Sequence, residues 1–432
     1  MNTDTIFALS SGFGKSGVAV IRISGENLKP TFEKIINKSD FSARQAYFTN
    51  LRDGNNELID QCIAIYFASP QSFTGQDVIE IHSHGSTAVI NKIFEYLTFF
   101  GFRMASRGEF SKRAFLNGKM TLSDVDGLAA LLDSQTDKQR KYALKSMMGG
   151  DSKIYENWRN QMIEISAYSA AILDYSPDDL PLNIDKKILS KTNNLYQEIE
   201  NALSKYQSIK AIKNGFNLVL VGETNVGKSS IFNKLVGTNR AIVSNTPGTT
   251  RDVISTPIDI DGYLVNLSDT AGVRETSDKI EQMGIDKTKT EIDNANLILH
   301  ITNSEFDIPY TKNPEIMVIN KSDLIQEKQN KNAIYVSAKT GDGIQDLIKI
   351  IKQEIHKLLD NTESDLIINA RTYALLSESK NELKQAIEKS NGNYDIFSEH
   401  VRHASENIGK ILGTITASDV MDATFSQLCL GK

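Results

Sequence analysis

The sequence predicts a multidomain α/β protein. We expect an N-terminal α+β domain, then a discontinuous all-helical domain into which a second α/β domain with a mostly parallel sheet is inserted. Three observations predict this. Residues 1–118 mix strand-like and helical segments, whereas residues 119–213 and 359–432 carry almost no strand signal. Residues 214–358 alternate short apolar strands with helices, which is typical of a parallel sheet covered by helices.

The composition argues against several classes of protein. The 432 residues are enough for about three domains. Lys and Arg total 48 against 54 Asp and Glu, and 40% of the residues are hydrophobic, which argues against a disordered chain and against nucleic-acid binding by bulk positive charge. Cys62 and Cys429 cannot build a disulfide framework, and the chain shows no signal peptide and no apolar run of 18 residues. We therefore expect a cytoplasmic protein without membrane association.

In the N-terminal segment, β-branched runs predict strands at Val18–Ser24, Ile63–Ser69, Val78–His84 and Phe102–Ser106. A helix is expected after Gly85, where apolar residues recur at helical spacing.

In the helical segments, the run Ser176–Asp185 contains two of the eight prolines and predicts a break before a long helix over Lys186–Lys213. The last segment, about 70 residues, is too short for a core of its own. We therefore expect residues 359–432 to pack against residues 119–213.

The strongest motif is Gly222-Glu-Thr-Asn-Val-Gly-Lys-Ser229, which follows a predicted strand and opens a helix. It matches G-x-x-x-x-G-K-[ST], in which backbone N–H groups surround phosphate oxygens. Lys228 is then expected to reach the β and γ phosphates, and Ser229 to bind Mg²⁺. The motif by itself does not separate ATP from GTP.

Three further segments at successive strand ends indicate GTP. Asp269-Thr-Ala-Gly272 supplies a carboxylate for the Mg²⁺ shell and an N–H for the γ phosphate. In Asn320-Lys-Ser-Asp323, the last carboxylate can accept two hydrogen bonds from guanine N1–H and its 2-amino group. Ser337-Ala-Lys339 places a backbone N–H near guanine O6. Together with the first motif they predict a GTP-binding domain.

Between the first two motifs, Gly248-Thr-Thr-Arg-Asp252 contains Thr250, the candidate switch threonine for Mg²⁺ and the γ phosphate. The predicted GTP-binding residues are Asn225, Val226, Gly227, Lys228, Ser229, Ser230, Ser244, Asn245, Thr246, Pro247, Gly248, Thr249, Thr250, Asp269, Thr270, Ala271, Gly272, Asn320, Lys321, Asp323, Ser337, Ala338 and Lys339. The predicted Mg²⁺ ligands are Ser229, Thr250 and, through water, Asp269. The predicted catalytic residues are Lys228, Thr250, Gly272 and Glu281.

Val273 stands where small GTPases often carry a water-orienting glutamine. Either hydrolysis is slow, or another group positions the water and another charge stabilises the transition state. The candidate ligands for a monovalent cation, such as K⁺, are Asn225, Ser244, Thr246 and Thr249. Glu281 is the acidic candidate for orienting water, and a solvated loop charge is the alternative interpretation.

These motifs are similar to those of a known family. Together with DTIFALSSGFGKSGVAVIRISG, SFTGQDVIEIHSHG, GEFSKRAFLNGKMTLSDVDGLAALLDSQT and the terminal CLGK, the chain resembles the MnmE (TrmE) family of tRNA-modification GTPases over essentially its full length. The resemblance implies a tetrahydrofolate-binding and dimerisation domain over residues 1–118, a helical domain over 119–213 and 359–432, and a Ras-like P-loop G domain over 214–358.

The resemblance also implies K⁺-stimulated GTP hydrolysis when two G domains meet. On this analogy the four cation candidates fall at the family's K⁺ positions, and Glu281 falls at its water-orienting glutamate. Arg251 and Asp252 lie in the switch that reorganises on dimerisation.

The family acts with an MnmG-type flavoprotein, which carries the FAD, in a hetero-oligomer. Together they add a carboxymethylaminomethyl or aminomethyl group to C5 of the wobble uridine in certain tRNAs. The one-carbon unit comes from 5,10-methylenetetrahydrofolate, for which 5-formyltetrahydrofolate is an analogue. In this sequence the implied folate-binding residues are Arg22, Glu80, Lys119 and Lys432.

Three features leave alternatives open. Cys429 lies in the tail that the resemblance places near the folate, and it is either a reactive group or a small packed hydrophobe. His82 and His84 are more consistent with packing or hydrogen bonding than with a metal site. Arg107 stands where the family commonly has proline.

A different class of function is a GTP-switched ribosome- or RNA-assembly factor, and a GTPase scaffold without folate chemistry is a third. An assembly factor is expected to carry a basic RNA-binding fold such as KH, with a G-x-x-G loop. The stretch Gly12–Gly17 lacks that context.

The cation hypothesis makes a direct prediction. GTP turnover by the purified chain is expected to be much faster in KCl than in NaCl, because K⁺ beside the phosphates stabilises the transition-state charge. Initial rates at matched ionic strength measure this. Equal rates in the two salts would remove the cation from the mechanism.

Overall fold

The structure is a computed structural model, and it describes residues 4–241, 255–269, 290–304, 314–325, 330–359, 366, 369–389, 393–413 and 431. The chain divides into two compact units. Unit 1 comprises residues 1–129, 146–164 and 402–432, and unit 2 comprises residues 130–145 and 165–401.

Unit 1 contains a six-stranded sheet in the order β3-β4-β5-β2-β1-β6. Its strands are β1 (Ile6–Leu9), β2 (Ser16–Gly25), β3 (Ala46–Arg52), β4 (Leu58–Phe67), β5 (Asp77–Gly85) and β6 (Arg103–Met104). Neighbouring strands are antiparallel except for the parallel pair β1–β6. Three helices accompany the sheet: α1 (Lys29–Ile36), α2 (Thr87–Phe99) and α3 (Glu109–Leu116).

One face of this sheet forms the core with α1 and α2. Ile21 and Ile81 of the sheet and Phe32 of α1 belong to one buried cluster. Alternate residues project to the other face, where Phe48 and Ile63 are cross-strand partners and remain 70% and 41% exposed. One face is therefore packed against α1 and α2, while the opposite face is covered at β1 by Phe110 of α3 and is open at β3 and β4.

Unit 2 contains a seven-stranded sheet in the order β13-β12-β11-β7-β10-β9-β8. Its strands are β7 (Phe216–Val221), β8 (Arg240–Ala241), β9 (Ser255–Ile260), β10 (Tyr263–Asp269), β11 (Leu297–Thr302), β12 (Glu315–Ile319) and β13 (Ile334–Tyr335). The strands from β13 to β10 pair in parallel, and β9 is antiparallel to both β10 and β8. The mostly parallel sheet predicted from the sequence is confirmed. Helices α8 (Tyr206–Asn214), α9 (Lys228–Thr238) and α10 (Ile344–Leu359) contribute to its main core.

The remaining helices come from the two predicted helical segments. They are α4 (Leu122–Leu132), α5 (Asp137–Met147), α6 (Gly150–Asp174), α7 (Ile184–Ser204), α11 (Ala370–Lys389) and α12 (Tyr394–Leu412). Within unit 2, α7 and α11 pack against each other, and the Tyr394 hydroxyl donates to Asp185 Oδ1 at 2.6 Å. The second helical segment therefore does return to the first. The exact domain boundaries given above stay predictions.

Local predictions differ from the structure in several places. The helix expected over Lys186–Lys213 is two helices, because the last turn of α7 tightens and ends at Lys205, whose N–H bonds to Ala202 and Leu203. Strands β1 and β3 were not predicted. β3 is an edge strand in which exposed residues alternate with partly or fully buried ones, rather than an apolar run. The strand expected over Phe102–Ser106 pairs over only two residues.

A partly buried ion-pair network joins α3 to Asp4, which precedes β1. Arg103 bonds Glu109 Oε1 at 2.7 Å, and Arg113 bonds both Glu109 at 3.2 Å and Asp4 at 2.8 Å. Burial alone would raise the pKa of Glu109. Hydrogen bonds from Arg103 and from the Ser106 backbone outweigh it and lower the pKa to about 2. The network is therefore fully charged at neutral pH.

This network predicts the acid stability of unit 1. Because the folded pKa of Glu109 lies below its ordinary value of 4.5, its contribution is fully present above pH 4.5 and lost as the pH falls towards 2. We expect Glu109→Gln to lower the free energy of unfolding at pH 7 by about 2 kcal/mol and to flatten its decline between pH 5 and pH 2.

Thermal unfolding across this pH range measures the effect. Glu95→Gln is the matched control, because Glu95 is 71% exposed and pairs with Lys92 on the surface. An unchanged pH profile for the Glu109 variant would contradict the assignment.

Candidate nucleotide-binding site

The phosphate-binding loop lies between the end of β7 and the start of α9, as the motif predicts. Gly222 and Gly227 have φ angles of 145° and 97°. A Cβ at Gly222 would collide with the Ile301 carbonyl, and a Cβ at Gly227 would collide with the Asn320 side chain. Glycine is therefore required at both positions, for conformation and for space.

Lys228 is the first residue of α9 and is only 6% exposed. Its ammonium donates to the carbonyls of Gly222 at 2.9 Å and Glu223 at 2.7 Å. These bonds hold the cation against the loop that precedes the helix. A positive charge and the N–H groups of a helix start form an environment suited to phosphate.

Ser229 and Asp269 meet at the ends of neighbouring parallel strands. The Ser229 hydroxyl donates to Asp269 Oδ2 at 2.7 Å, and Asp269 pairs in register with Leu220 of β7. A hydroxyl and a carboxylate side by side are oxygen donors of the kind that Mg²⁺ prefers. Two of the three predicted Mg²⁺ ligands are thus adjacent, and the third, Thr250, lies outside the described residues.

Asn320 ties the phosphate-binding loop to the third and fourth motifs. Its amide is 3% exposed, donates to the Val226 carbonyl at 2.8 Å and accepts from the Ala338 N–H at 3.1 Å. The neighbouring Lys321 ammonium bonds the Asn225 carbonyl at 3.1 Å. Three segments far apart in sequence are therefore held together by one buried side chain and one lysine.

The predicted guanine-binding carboxylate is oriented by a serine. The Ser337 hydroxyl donates to Asp323 Oδ1 at 2.8 Å. Both side chains follow strand ends at the same edge of the sheet, beside the exposed Lys339. The carboxylate is held by one oxygen, so its second oxygen can face a ligand.

The remaining predicted site residues of this domain lie outside the described residues. They are Ser244, Asn245, Thr246, Pro247, Gly248, Thr249, Thr250, Thr270, Ala271, Gly272 and Glu281. The described members, including the exposed Ser230, are brought to one end of the sheet of unit 2.

A second cluster lies on the sheet of unit 1. Arg22 and Glu80 are cross-strand partners, and the Arg22 Nε and Nη2 atoms both bond Glu80 Oε1, at 3.0 and 2.8 Å. The guanidinium carbon lies 5.2 Å from the centre of the Phe73 ring and 5.9 Å from that of Phe110. His82 Nε2 lies 3.4 Å from Glu80 Oε2.

The chain's penultimate residue reaches this cluster. The Gly431 carbonyl accepts from Ser10 Oγ at 3.0 Å and from Arg22 Nη1 at 3.5 Å. Gly431 has a φ of 89°, and a Cβ there would collide with the Leu9 carbonyl. The role of Ser10 was not predicted, because no motif around Ser10 indicates a contact with a residue 421 positions away.

The other residues that the sequence analysis singled out in this region lie in different environments. The stem of Lys119 lies beside Gly75, while Cys429 and Lys432 lie outside the described residues. His84 bonds Asp60 at 2.8 Å, and no group of three potential metal-binding side chains occurs among the described residues. Burial raises the pKa of the Cys62 thiol to about 12, so this cysteine stays protonated.

Comparisons with known proteins agree with this geometry. The family described as MnmE helical domain matches residues 122–429, and the one described as GTP-binding protein TrmE N-terminus matches residues 5–119. The chain is 38% identical to the tRNA modification GTPase MnmE of Chelativorans sp. (strain BNC1), over 99% of this chain and 98% of that protein. It is 37% identical to the tRNA modification GTPase MnmE of Agrobacterium fabrum, over 100% of this chain and 99% of that protein.

Among solved structures, the G domain of the T. maritima FeoB iron transporter is 24% identical and covers 33% of this chain and 98% of that chain. Its TM-score of 0.24 is too low to carry an argument. Within the described residues, no helix is both long and apolar enough to cross a membrane.

The Asp323 geometry makes a prediction about base selectivity. We expect Asp323→Asn to weaken GTP binding by about 100-fold, because the amide loses two charge-assisted hydrogen bonds to guanine. The same change should improve binding of xanthosine triphosphate, whose O2 can accept from the new amide N–H.

Competition with a fluorescent GTP analogue measures both affinities. Asp342→Asn is the control, since this exposed carboxylate accepts from Thr340 Oγ1 at 2.7 Å. Unchanged GTP affinity in the Asp323 variant would contradict a guanine-binding role.

Proposed function

The chain belongs to the MnmE family of tRNA modification GTPases, and on that premise we propose that it hydrolyses GTP as a step in the modification of tRNA. The observation that carries the proposal is the joining of Lys228, the Ser229–Asp269 pair and Asp323 at one edge of a parallel sheet. This arrangement provides groups for phosphate, for a divalent cation and for a base.

In the proposed reaction the protein positions phosphates and stabilises charge. Lys228 turns from the loop carbonyls to the β and γ phosphates, and N–H groups at the start of α9 bind the phosphate oxygens. Mg²⁺, held by Ser229, Asp269 through water and Thr250, would neutralise charge on the transferring group. Gly272 contacts the γ phosphate through its N–H, and Glu281 orients the attacking water.

We include K⁺ in the proposal, with Asn225, Ser244, Thr246 and Thr249 as its ligands. Asn225 has a φ of 64°, and its carbonyl accepts the bond from Lys321. These two features fix the loop that presents the Asn225 side chain. A fixed loop would hold Asn225 at a constant position beside the phosphates, which a catalytic cation requires of its ligands.

We propose that unit 1 binds a tetrahydrofolate, the source of the one-carbon unit, near the Arg22–Glu80 pair. A cation and a carboxylate beside two aromatic rings fit a ligand that combines a flat heteroaromatic ring with an anionic tail. Among the described residues, the contact of Glu80 Oε2 is the long one to His82 at 3.4 Å, so this oxygen can accept from a pterin amino group. Lys119 and Lys432 would bind the anionic tail.

The open face of the unit 1 sheet supports the proposed homodimer. Phe48 and Ile63 pair across β3 and β4, and Ile63 pairs in turn with His82 of β5. Large exposed apolar side chains beside a binding site are typical of a protein interface. The proposed second partner is an MnmG-type flavoprotein that carries FAD, and the proposed product is a C5-aminomethyl-type wobble uridine made in the cytoplasm.

Analysis of tRNA nucleosides tests the proposal. In cells that lack the gene, we expect mass spectrometry to show loss of a C5-aminomethyl-type wobble uridine. Wild type should restore it and Asp269→Ala should not, because this variant removes the carboxylate paired with Ser229. Asp346→Ala, at an exposed position in the first turn of α10, is the matched control and should restore it.

Arg22→Gln separates the two sites. It should fail to restore the nucleoside while the purified variant hydrolyses GTP at the wild-type rate. An unchanged nucleoside profile in the cells without the gene would contradict a role in tRNA modification. It would favour the alternative function, a GTP-switched ribosome- or RNA-assembly factor.

A further inference from the structure

The hairpin β9–β10 connects two parts of the proposed GTPase centre. Strand β9 begins four residues after Arg251 of the Gly248–Asp252 segment, and β10 ends at Asp269. The two strands pair in register over six positions, from Tyr263 opposite Ile260 to Ser268 opposite Ser255. At about 3.3 Å per residue, the turn of this hairpin lies roughly 20 Å from the Asp269 end.

The turn itself has one well-defined conformation. Its two central residues, Asp261 and Gly262, have φ angles of 56° and 82°, as a two-residue turn between antiparallel strands requires. The Gly262 N–H donates to Asp259 Oδ1 at 2.7 Å. A displacement of the turn therefore moves both strands together.

The first turn of helix α5 contacts this hairpin turn. The Lys138 N–H, one of the donors that a helix start leaves without an intrahelical partner, donates to the Gly262 carbonyl at 3.3 Å. The Lys138 ammonium lies 4.8 Å from the centre of the Tyr263 ring, which is 3% exposed. One residue later, Gln139 Nε2 donates to the Lys213 carbonyl at 2.8 Å, so α5 is also bound to the end of α8.

Helix α10 contacts the same turn from its last two turns. His356 Nε2 lies 2.8 Å from Asp261 Oδ2, and the His356 ring meets the Tyr263 ring edge to face with centres 5.6 Å apart. Two helices far apart in sequence thus converge on three consecutive residues. Nothing in the nucleotide chemistry requires contacts at this distance from the phosphates.

From this geometry we propose that Lys138 and His356 are positioning residues for GTP hydrolysis. They fix the remote end of the hairpin whose other end carries Asp269. The inference rests on the proposed GTPase function and extends it, because it makes turnover depend on the docking of α5. The base-binding motifs and the phosphate-binding loop before α9 lie on other strands and loops, so GTP affinity should depend much less on the same contacts.

The experiment compares Lys138→Met, Lys138→Arg and His356→Leu with wild type, all as the full chain in KCl and Mg²⁺. We expect Lys138→Met and His356→Leu to lower kcat for GTP by about fivefold while KM stays within about twofold. Lys138→Arg should retain most of the wild-type kcat, because a guanidinium also stacks on a tyrosine ring. Lys141→Met is the matched control, since Lys141 lies one turn further along α5 and pairs with Asp137 on an exposed surface.

Hydrogen exchange of the β9 and β10 amides in the GDP-bound chain is a second readout that requires no turnover. We expect faster exchange in Lys138→Met than in Lys141→Met. Wild-type kcat and wild-type exchange in Lys138→Met and His356→Leu would overturn the inference. Equal losses in the Met and Arg variants would overturn the role of the ammonium–ring contact. A wild-type chain that binds GTP without hydrolysing it would contradict the proposed function instead, and the exchange data would then decide whether the turn is held as inferred.

Discussion

The candidate nucleotide site depends on the buried amide of Asn320. It donates to the Val226 carbonyl in the phosphate-binding loop and accepts from the Ala338 N–H in the fourth motif. A buried side chain that satisfies polar groups of two separate segments is costly to lose, because each partner would be left without a hydrogen bond. The close approach of Gly227 to this amide explains why the loop has room only for glycine there.

The parallel sheet explains why the chemistry gathers at one edge. In a parallel sheet the carboxyl ends of all strands meet at the same side, so side chains that follow β7, β10 and β12 become neighbours. The Ser229–Asp269 bond is the direct result, since the two residues follow or end adjacent strands. Strand β9 runs in the opposite direction to β10, so its carboxyl end lies at the other edge of the sheet.

Unit 1 contains a mostly antiparallel sheet and two charged clusters. Its antiparallel sheet packs one face against α1 and α2, which leaves the Arg22–Glu80 pair on the opposite face. The ion pairs of Arg103 and Arg113 with Glu109 and Asp4 hold α3 near the start of the chain. A charged structural network and a charged candidate site therefore coexist in one small domain.

The sequence by itself determined the fold class and predicted the four motifs whose described residues meet at one end of the unit 2 sheet. Motif spacing was enough because these segments act through backbone geometry and strand ends, and both are local properties that a short run of residues controls. It also placed Arg22 and Glu80 in one site, through resemblance to a family. Only the tertiary structure showed that Phe73 and Gly431 contact Arg22, with Ser10 bonded to Gly431, and that Lys138 and His356 meet at the Asp261–Tyr263 turn. Those contacts join residues tens to hundreds of positions apart, and their side chains carry no local pattern that marks them. Packing of whole elements decides such contacts, and packing is a property of the folded chain rather than of any segment of it.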